Sequence, residues 1–192
     1  PDAALSPATQ AMLITVLLRQ PWHPEWQPAE VVSNLGYTAM TLSRAVKELT
    51  AAGIGTLRIE GRARWLHMER TAAQTWERAT LLLRSPTKRR FWARPGAKWQ
   101  PPHVKLAGLS ALARYSMLAE PHWPSYAVSQ AQWKTATKAG IDTLPEPLPG
   151  ACEWELWHYN PALIANSETV DPLSLTLSLQ GNTDERVQLA LD

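Results

Sequence analysis

The chain of 192 residues is poor in the features that mark several protein classes. Cys152 is its one cysteine, so no intrachain disulfide can form, and a reducing cytoplasm is the expected compartment. No apolar run approaches the roughly 18 residues that a membrane-spanning helix needs, and no basic segment followed by an apolar one opens the chain. We also find no repeat at a fixed period, which excludes solenoids and coiled coils. The expectation is a folded, cytoplasmic protein without a membrane partner.

Metal-binding spacing is absent as well. The five histidines show no ligand spacing with one another or with Cys152: His23, His67, His103, His122 and His158. A zinc site is therefore not expected. Nothing else in the sequence indicates a bound cofactor, so the prediction is a protein without metal or cofactor.

The charges are unevenly distributed, although the formal net charge is only +2. Residues 1–102 carry 14 Lys and Arg against 7 Asp and Glu, a net charge of +7, whereas residues 103–192 carry 5 against 10, a net charge of −5. This asymmetry is typical of a protein in which one part binds a polyanion. Proline and glycine in residues 95–102 disfavour a helix or a central strand, so we predict a linker there. The predicted domains are residues 1–94 and 103–192.

Three helices are predicted at the start of the first domain. One begins after Ser6, a short second one runs from Pro28 to Leu35 and ends at Gly36, and Thr38 caps a third that runs to about Ala52. The apolar residues of the third helix recur on one side of a helical wheel: Leu42, Ala45, Val46 and Leu49. Its other side is left polar and basic.

A β-hairpin is predicted next, because residues 56–60 and 63–67 alternate like two strands around Gly61-Arg62. Residues 71–84 then return to helical spacing. Two helices joined by a tight glycine turn and followed by a hairpin are typical of a winged helix-turn-helix, in which the second helix of the pair enters the major groove of DNA. The predicted fold class is α+β, with this domain first and a small α+β domain after it.

Residues 29–54 resemble the helix-turn-helix of MarR-like winged-helix regulators. The resemblance implies a sequence-specific regulator of transcription that binds double-stranded DNA. Operators of this kind usually have two-fold symmetry, which favours a homodimer.

The predicted DNA contacts come from the third helix and the hairpin. On the helix, hydroxyl groups and cations can reach phosphates and base edges: Thr38, Thr41, Ser43, Arg44 and Lys47. Arg44 is the candidate for base reading, since a bidentate arginine discriminates a guanine by about 1 to 3 kcal/mol. At the hairpin, three arginines suit the narrow minor groove: Arg58, Arg62 and Arg64. The alternatives are a solvated helix face and charges that keep a strand edge soluble.

Two further groups of residues in the first half have alternative interpretations. The triplet Lys88-Arg89-Arg90 either reaches phosphate or is simply solvated. Six of the ten tryptophans also lie there, and we interpret them as core or lid residues rather than as a platform for stacking single-stranded bases: Trp22, Trp26, Trp65, Trp76, Trp92 and Trp99.

The second half alternates helix and strand signals, which predicts a small α+β domain. The predicted elements are helices at 106–118 and 130–139, strands at 125–129 and 153–159, a helical turn at 161–165, an apolar strand at 173–179 and a helix from residue 183. Four segments resemble the C-terminal domain of AbiEi-type antitoxins: 107–113, 126–128, 156–159 and 170–175. That resemblance implies a nucleotidyltransferase-like domain without catalytic residues, repression of the protein's own promoter, and a nucleotidyltransferase-like toxin as partner. Leu109 stands where the family pattern has an acidic residue.

Two alternatives to the antitoxin remain open. One is a small-molecule-responsive MarR-like repressor whose effector binds the acidic domain. The other is a nucleotidyltransferase that uses Glu153 and Glu155, because carboxylates one residue apart on a strand can hold Mg²⁺ at phosphates. Alternating glutamates more often form the solvated face of a strand, and no Gly-Ser phosphate loop lies near the pair in the sequence. We therefore predict no enzymatic activity and no catalytic residue.

Overall fold

The computed structural model describes residues 3–94 and 104–192. The chain divides into two compact units, Pro1–Arg84 and Ser85–Asp192. Within the described residues there are eight α-helices and eight strands in two sheets, so the fold is of the α+β class that the sequence predicts. No helix in this part of the chain combines the length and the apolar character needed to cross a membrane.

The first unit contains four helices and a three-stranded sheet. The helices are α1 (Pro7–Leu17), α2 (Pro28–Val31), α3 (Ala39–Ala51) and α4 (Ala72–Ala79). The strands are β1 (Glu25–Trp26), β2 (Thr56–Glu60) and β3 (Ala63–His67), antiparallel in the order β1-β3-β2. Short 3₁₀ turns follow α2 and α4.

Local signals explain why these elements form where the sequence predicts them. The Thr38 side chain accepts the backbone N–H of Thr41 and so caps α3. Gly36 has a φ of +69°, which lets the chain turn tightly between α2 and α3. The inner face of α3 packs on α1, most of which is buried, while the β2–β3 hairpin turns at Gly61 as predicted.

The second unit is built on a five-stranded sheet. Its strands are β4 (Thr87–Arg94), β5 (Lys105–Leu106), β6 (Ser125–Val128), β7 (Asp142–Leu144) and β8 (Cys152–Trp157), in the order β5-β6-β8-β4-β7. Only the pairing of β6 with β8 is parallel among the described strands. Its helices are α5 (Gly108–Tyr115), α6 (Gln130–Lys138), α7 (Pro172–Leu179) and α8 (Glu185–Leu191).

One face of this sheet carries the hydrophobic core. Alternate residues of three adjacent strands point to that face and are buried together: Ala93, Val128, Cys152, Trp154 and Leu156. Trp133 of α6 packs against them. The opposite face of the same strands carries Arg90, Glu153 and Glu155, because side chains alternate along a strand.

Two element predictions in the second half are wrong. Residues 173–179 form helix α7 rather than a strand, because the Asp171 carboxylate caps the helix, Pro172 starts it, and the polar residues between its leucines are also shielded from water. The alternation of leucine with serine and threonine imitates the period of a strand. Residues 161–165 form bends and no helical turn.

The division between the units falls ten residues before the predicted domain end at residue 94. The reason is that β4, which contains Lys88, Arg89 and Arg90, pairs with β7 and β8. The predicted linker, residues 95–102, lies outside the described residues.

This boundary changes the charge balance. Residues 1–84 carry nine Lys and Arg against seven Asp and Glu, a net charge of +2, and residues 85–192 carry ten of each sign. The net charge of +7 counted for residues 1–102 therefore includes Lys and Arg residues that belong to the second unit. Any attraction of the first unit for a polyanion must come from where its charges lie rather than from their sum.

Candidate nucleic-acid interface

Two adjacent stripes of side chains run along α3. Residues three or four apart share a helix face, and one such stripe faces a surface cleft: Ala39, Leu42, Ser43 and Val46. The next stripe, one residue further round, is exposed to solvent: Met40, Arg44 and Lys47. Ser43 and Arg44 therefore lie on neighbouring faces of one helix.

The two threonines at the start of α3 have a structural role. The Thr38 hydroxyl accepts the Thr41 backbone N–H at 3.2 Å and lies 3.0 Å from the Thr41 hydroxyl. Thr38 is exposed and Thr41 is half-buried. Their capping geometry leaves Thr38 at the surface where the first turn of α3 begins.

The three arginines of the hairpin do not share one face. In the β2–β3 register Arg58 is opposite Trp65 and Arg64 is opposite Ile59, and directly opposed residues point to the same side. Because successive side chains alternate, Arg58 and Arg64 point to opposite faces of the hairpin. Of the three predicted hairpin contacts, the structure brings Arg62 and Arg64 together and separates Arg58 from them.

Arg58 is also compensated by carboxylates. Its guanidinium donates to both oxygens of Glu25 at 3.0 Å and to Glu60 at 2.8 Å, and it lies 5.6 Å from the centre of the Trp65 ring. Hydrogen bonding from Arg58 holds the pKa of Glu25 below its usual value of 4.5. A bidentate pair with correct geometry is the form in which arginine binds carboxylates best.

A cleft of about 470 Å³ separates α3 from the tip of the hairpin. Ser43 lines it from α3, and Arg62 and Arg64 line it from the hairpin. Its remaining lining is largely apolar and comes from the start of α2, from α3 and from β3: Gln27, Pro28, Ala29, Ala39, Leu42, Val46 and Ala63. We call this feature the α3–hairpin cleft.

Four cations around this cleft are uncompensated. Across residues 3–94 and 104–192, no ion pair or hydrogen bond engages the side chain of Arg44, Lys47, Arg62 or Arg64. All four are exposed. The carboxylate that follows Lys47, Glu48, instead accepts hydrogen bonds from the backbone and hydroxyl of Ser6 at 2.8 and 2.7 Å and from the Thr9 hydroxyl. The outer side of α3 is thus basic although the whole unit is nearly neutral.

The glutamate pair of the second unit lies in a cavity that the sequence did not indicate. Glu153 and Glu155 point to the same face of β8, and the Arg90 Nε lies 3.8 Å from one oxygen of each. A Cβ at Gly108, the first residue of α5, would lie only 3.2 Å from Glu155 Oε2. A glycine at a helix start therefore adjoins the pair in space, although no such residue is near it in sequence.

The two carboxylates have different surroundings. Glu155 is 1 % exposed, and its Oε1 accepts the Thr87 hydroxyl at 2.8 Å and the Trp157 indole N–H at 3.1 Å. Burial raises the pKa of Glu153, the Glu155 charge raises it further, and Arg90 opposes both effects. Within the described part of the chain, no cluster of three or more His, Cys, Asp or Glu residues could hold a metal ion.

Comparison with protein-family models, with curated proteins and with solved structures finds no match to this chain. The function must therefore be inferred from the residues and geometry of the chain itself.

Proposed function

We propose that residues 1–84 form a winged helix-turn-helix domain that binds double-stranded DNA, and that the protein is a sequence-specific transcriptional regulator of the cytoplasm. The observation that carries this proposal is the α3–hairpin cleft, which places Ser43, Arg62 and Arg64 on a common surface beside the exposed Arg44 and Lys47. In this arrangement α3 is the recognition helix and the β2–β3 hairpin is the wing.

The free cations supply the attraction to the phosphate backbone. Each arginine or lysine that neutralises a phosphate releases counterions, so the logarithm of the binding constant falls by about 0.9 for each unit rise in the logarithm of salt concentration per contact. Arg62 and Arg64 at the hairpin tip fit the electronegative minor groove. Arg58 contributes little to this attraction, because Glu25 and Glu60 already pair with it.

Base recognition is assigned to Arg44. It is exposed on the first half of α3, where residues of a recognition helix reach base edges, and no carboxylate competes for its guanidinium in the described chain. A bidentate contact with guanine is worth about 1 to 3 kcal/mol of discrimination, which corresponds to a preference of about five- to hundredfold.

The operator is expected to be an inverted repeat bound by a homodimer. A two-fold protein places two recognition helices about 34 to 36 Å apart, so half-sites one helical turn apart are the simplest match. Sedimentation of the protein with and without a two-half-site duplex measures this stoichiometry directly. Two chains per duplex is the expected result.

The second unit is assigned the regulatory role. Its resemblance to AbiEi-type antitoxins leads to the proposal that it binds a nucleotidyltransferase-like toxin encoded beside it and that the protein represses their shared promoter. We assign no catalysis to Glu153 and Glu155, because Arg90 lies against both carboxylates and Glu155 is held by Thr87 and Trp157. Failure of the neighbouring gene product to co-purify would remove the antitoxin role and leave DNA binding untouched.

The test of DNA binding starts from a duplex selected from random sequence by the whole protein. Fluorescence anisotropy then compares the affinity for that duplex with the affinity for a scrambled duplex at several salt concentrations. Arg44→Ala should reduce the preference for the selected duplex about five- to hundredfold. Lys47→Ala should weaken binding to both duplexes and reduce the salt slope by about 1.

A matched control is Lys134→Ala, which removes one exposed cation from α6 in the second unit. It should leave affinity and preference unchanged. If Arg44→Ala kept the full preference of the unaltered protein, α3 would not be the recognition helix. If no duplex were enriched at all, the proposal of sequence-specific DNA binding would fail.

A further inference from the structure

The second unit contains an open cavity of about 490 Å³ with walls of two kinds. We call it the tryptophan cavity. Its charged side is formed by Arg90, Glu153 and Glu155, and its aromatic side by Trp92, His122 and Trp123. The rest of its lining is uncharged: Gly108, Leu109, Pro121, Ser125, Ser178, Leu179, Gly181 and Asn182.

The aromatic side offers ring faces to a ligand. Trp92 and Trp123 are both only partly buried, and they meet edge to face with ring centres 6.2 Å apart. His122 meets Trp123 in the same way at 4.6 Å. In an edge-to-face pair one ring contributes only its edge, so the partner covers neither face of that ring and a planar ring can stack there.

The charged side has an excess of one negative charge. Two glutamates line the cavity against one arginine, and the Arg90 Nη2 is already engaged by the carbonyl oxygen of Ser178 at 3.1 Å. An anion such as a polyphosphate would meet two carboxylates and one committed guanidinium. A cation would meet a net attraction.

Glu153 has the free acceptor capacity. Its carboxylate is 3.8 Å from the Arg90 Nε, beyond hydrogen-bond distance, and it accepts no hydrogen bond from the described residues. Glu155, in contrast, already accepts two. A ligand N–H directed at Glu153 would therefore gain a charge-assisted hydrogen bond without breaking one within the protein.

We propose that the tryptophan cavity binds a planar aromatic cation, an amidinium or a protonated amino-heteroarene, whose ring stacks on Trp123 and meets Trp92 by its edge and whose N–H groups donate to Glu153. The cavity has the volume of sites that hold drug-sized ligands. Both attractions, ring stacking and charge pairing, are strongest for a flat cation over tryptophan next to a carboxylate.

Three acridines with the same ring system and different charge test this proposal. 9-Aminoacridine is a cation at neutral pH, acridine is neutral, and acridine-9-carboxylate is an anion. Calorimetry with the full chain and no DNA should give one site per chain, with the cation bound at least tenfold more tightly than the neutral ring. Binding of the anion should be undetectable.

Variants separate the two contributions. Glu153→Gln keeps the shape of the side chain and removes its charge, so it should weaken binding of the cation about tenfold and leave the neutral ring unaffected. Trp123→Leu should weaken both the cation and the neutral ring. Glu146→Gln, an exposed glutamate of the same unit outside the cavity, is the matched control and should change neither.

Several results would overturn the proposal. Equal affinity for the cation and the neutral ring would remove the role of the carboxylates, and unchanged cation binding in Glu153→Gln would place the site elsewhere. Binding of a nucleoside triphosphate with Mg²⁺, in place of the aminoacridine, would favour the nucleotidyltransferase alternative. Circular dichroism of each variant confirms that a loss of binding is not a loss of folding. Since no DNA is present, none of these outcomes depends on the function proposed for the first unit.

Discussion

Arg58 and Arg64 lie six residues apart on one hairpin yet point to opposite faces of it, and they differ in what surrounds them. Arg58 is paired with Glu25 and Glu60, whereas Arg64 lines the α3–hairpin cleft beside Ser43. Two arginines that look equivalent in the sequence are therefore unlike in the charge they present to a partner.

This difference predicts unequal effects on DNA binding. Arg64→Ala should weaken binding of the selected duplex several-fold and lower the salt slope by about 1, because a free cation is lost. Arg58→Ala should change affinity less, because Glu25 and Glu60 already offset the charge of Arg58 and its side chain does not line the cleft. Anisotropy titrations at three salt concentrations measure both. Equal losses in the two variants would show that the wing does not approach DNA by its Arg64 face.

Hydrogen bonds from Ser6 and Thr9 to Glu48 connect α3 to the start of α1, and we expect their loss to destabilise the first unit at neutral pH. Glu48→Gln removes the charge that Ser6 and Thr9 donate to, and hydrogen bonds to charged groups contribute about 1.5 to 3 kcal/mol. Amide hydrogen exchange in α1 should accelerate accordingly. Glu30→Gln, exposed on α2, is the control and should leave exchange unchanged.

The same hydrogen bonds to Glu48 should make the stability of the first unit depend on pH. Burial alone would raise the pKa of Glu48, but the combined hydrogen bonds from Thr9 and Ser6 lower it below its usual value of 4.5. The stabilisation is therefore present above about pH 4.5 and is lost as the pH falls through the lower pKa of the folded state. The unaltered protein and Glu48→Gln should converge in exchange rate in that acidic range. A constant difference down to pH 3 would contradict the assignment.

Asp171 predicts the opposite dependence on pH. Its side chain is fully buried, and burial raises its pKa even though Oδ1 accepts the Ser174 N–H at 2.7 Å. A carboxyl group whose pKa is raised on folding stabilises the folded state fully when the pH is below the pKa of that group in the unfolded chain. This stabilisation is lost as the pH rises through the pKa of the group in the folded protein. Asp171→Asn, which keeps a capping oxygen, should therefore gain stability relative to the unaltered protein between pH 4 and 8.

Asp171→Ala is the comparison for that variant. It removes the N-cap of α7 and should cost about 1 to 2 kcal/mol at low pH, where Asp171 is neutral, and less as the pH rises. Urea unfolding followed by circular dichroism gives both values. If Asp171→Asn were destabilised as much as Asp171→Ala at pH 7, the charge itself would be required and the direction of the pKa would be wrong.

Alanine substitution at two glycines of the second unit should reduce its stability by different amounts. Gly108 and Gly150 both have positive φ, +52° and +82°, so alanine at either is strained by about 1 kcal/mol or more. A Cβ at Gly150 meets nothing within 4 Å, whereas one at Gly108 comes within 3.2 Å of Glu155 and 3.3 Å of Ser125. Gly108→Ala should therefore destabilise the unit more than Gly150→Ala. Equal losses in urea unfolding would mean that α5 can shift away from Glu155.

Most elements of the first unit could be predicted because their signals are local. Thr38 before the apolar period of α3, glycine at position 36 and strict alternation around Gly61 each act within a few residues of the chain. The second half was harder. The leucines of α7 alternate with serine and threonine as in a strand, and this alternation conceals the helix start that Asp171 and Pro172 provide.

The candidate site, too, could be predicted only in part. The residue types around Ser43 and Gly61 could be chosen from the sequence, but which arginine is free could not, because Glu25 is 33 residues from Arg58. The tryptophan cavity was missed altogether. Gly108, Arg90 and Glu155 meet only through strand pairing and the packing of α5, and only the pairing of β4 with β8 shows that Arg90 faces Glu153 and Glu155.

By itself the sequence determined the helix caps, the hairpin turn and the basic outer side of α3, since these depend on backbone preferences and spacing over a few residues. Only the tertiary structure decided where the first unit ends, which cations are neutralised and which side chains share a cavity. Those outcomes depend on contacts between residues far apart in the chain, and these contacts form only after the strands of the sheet have paired.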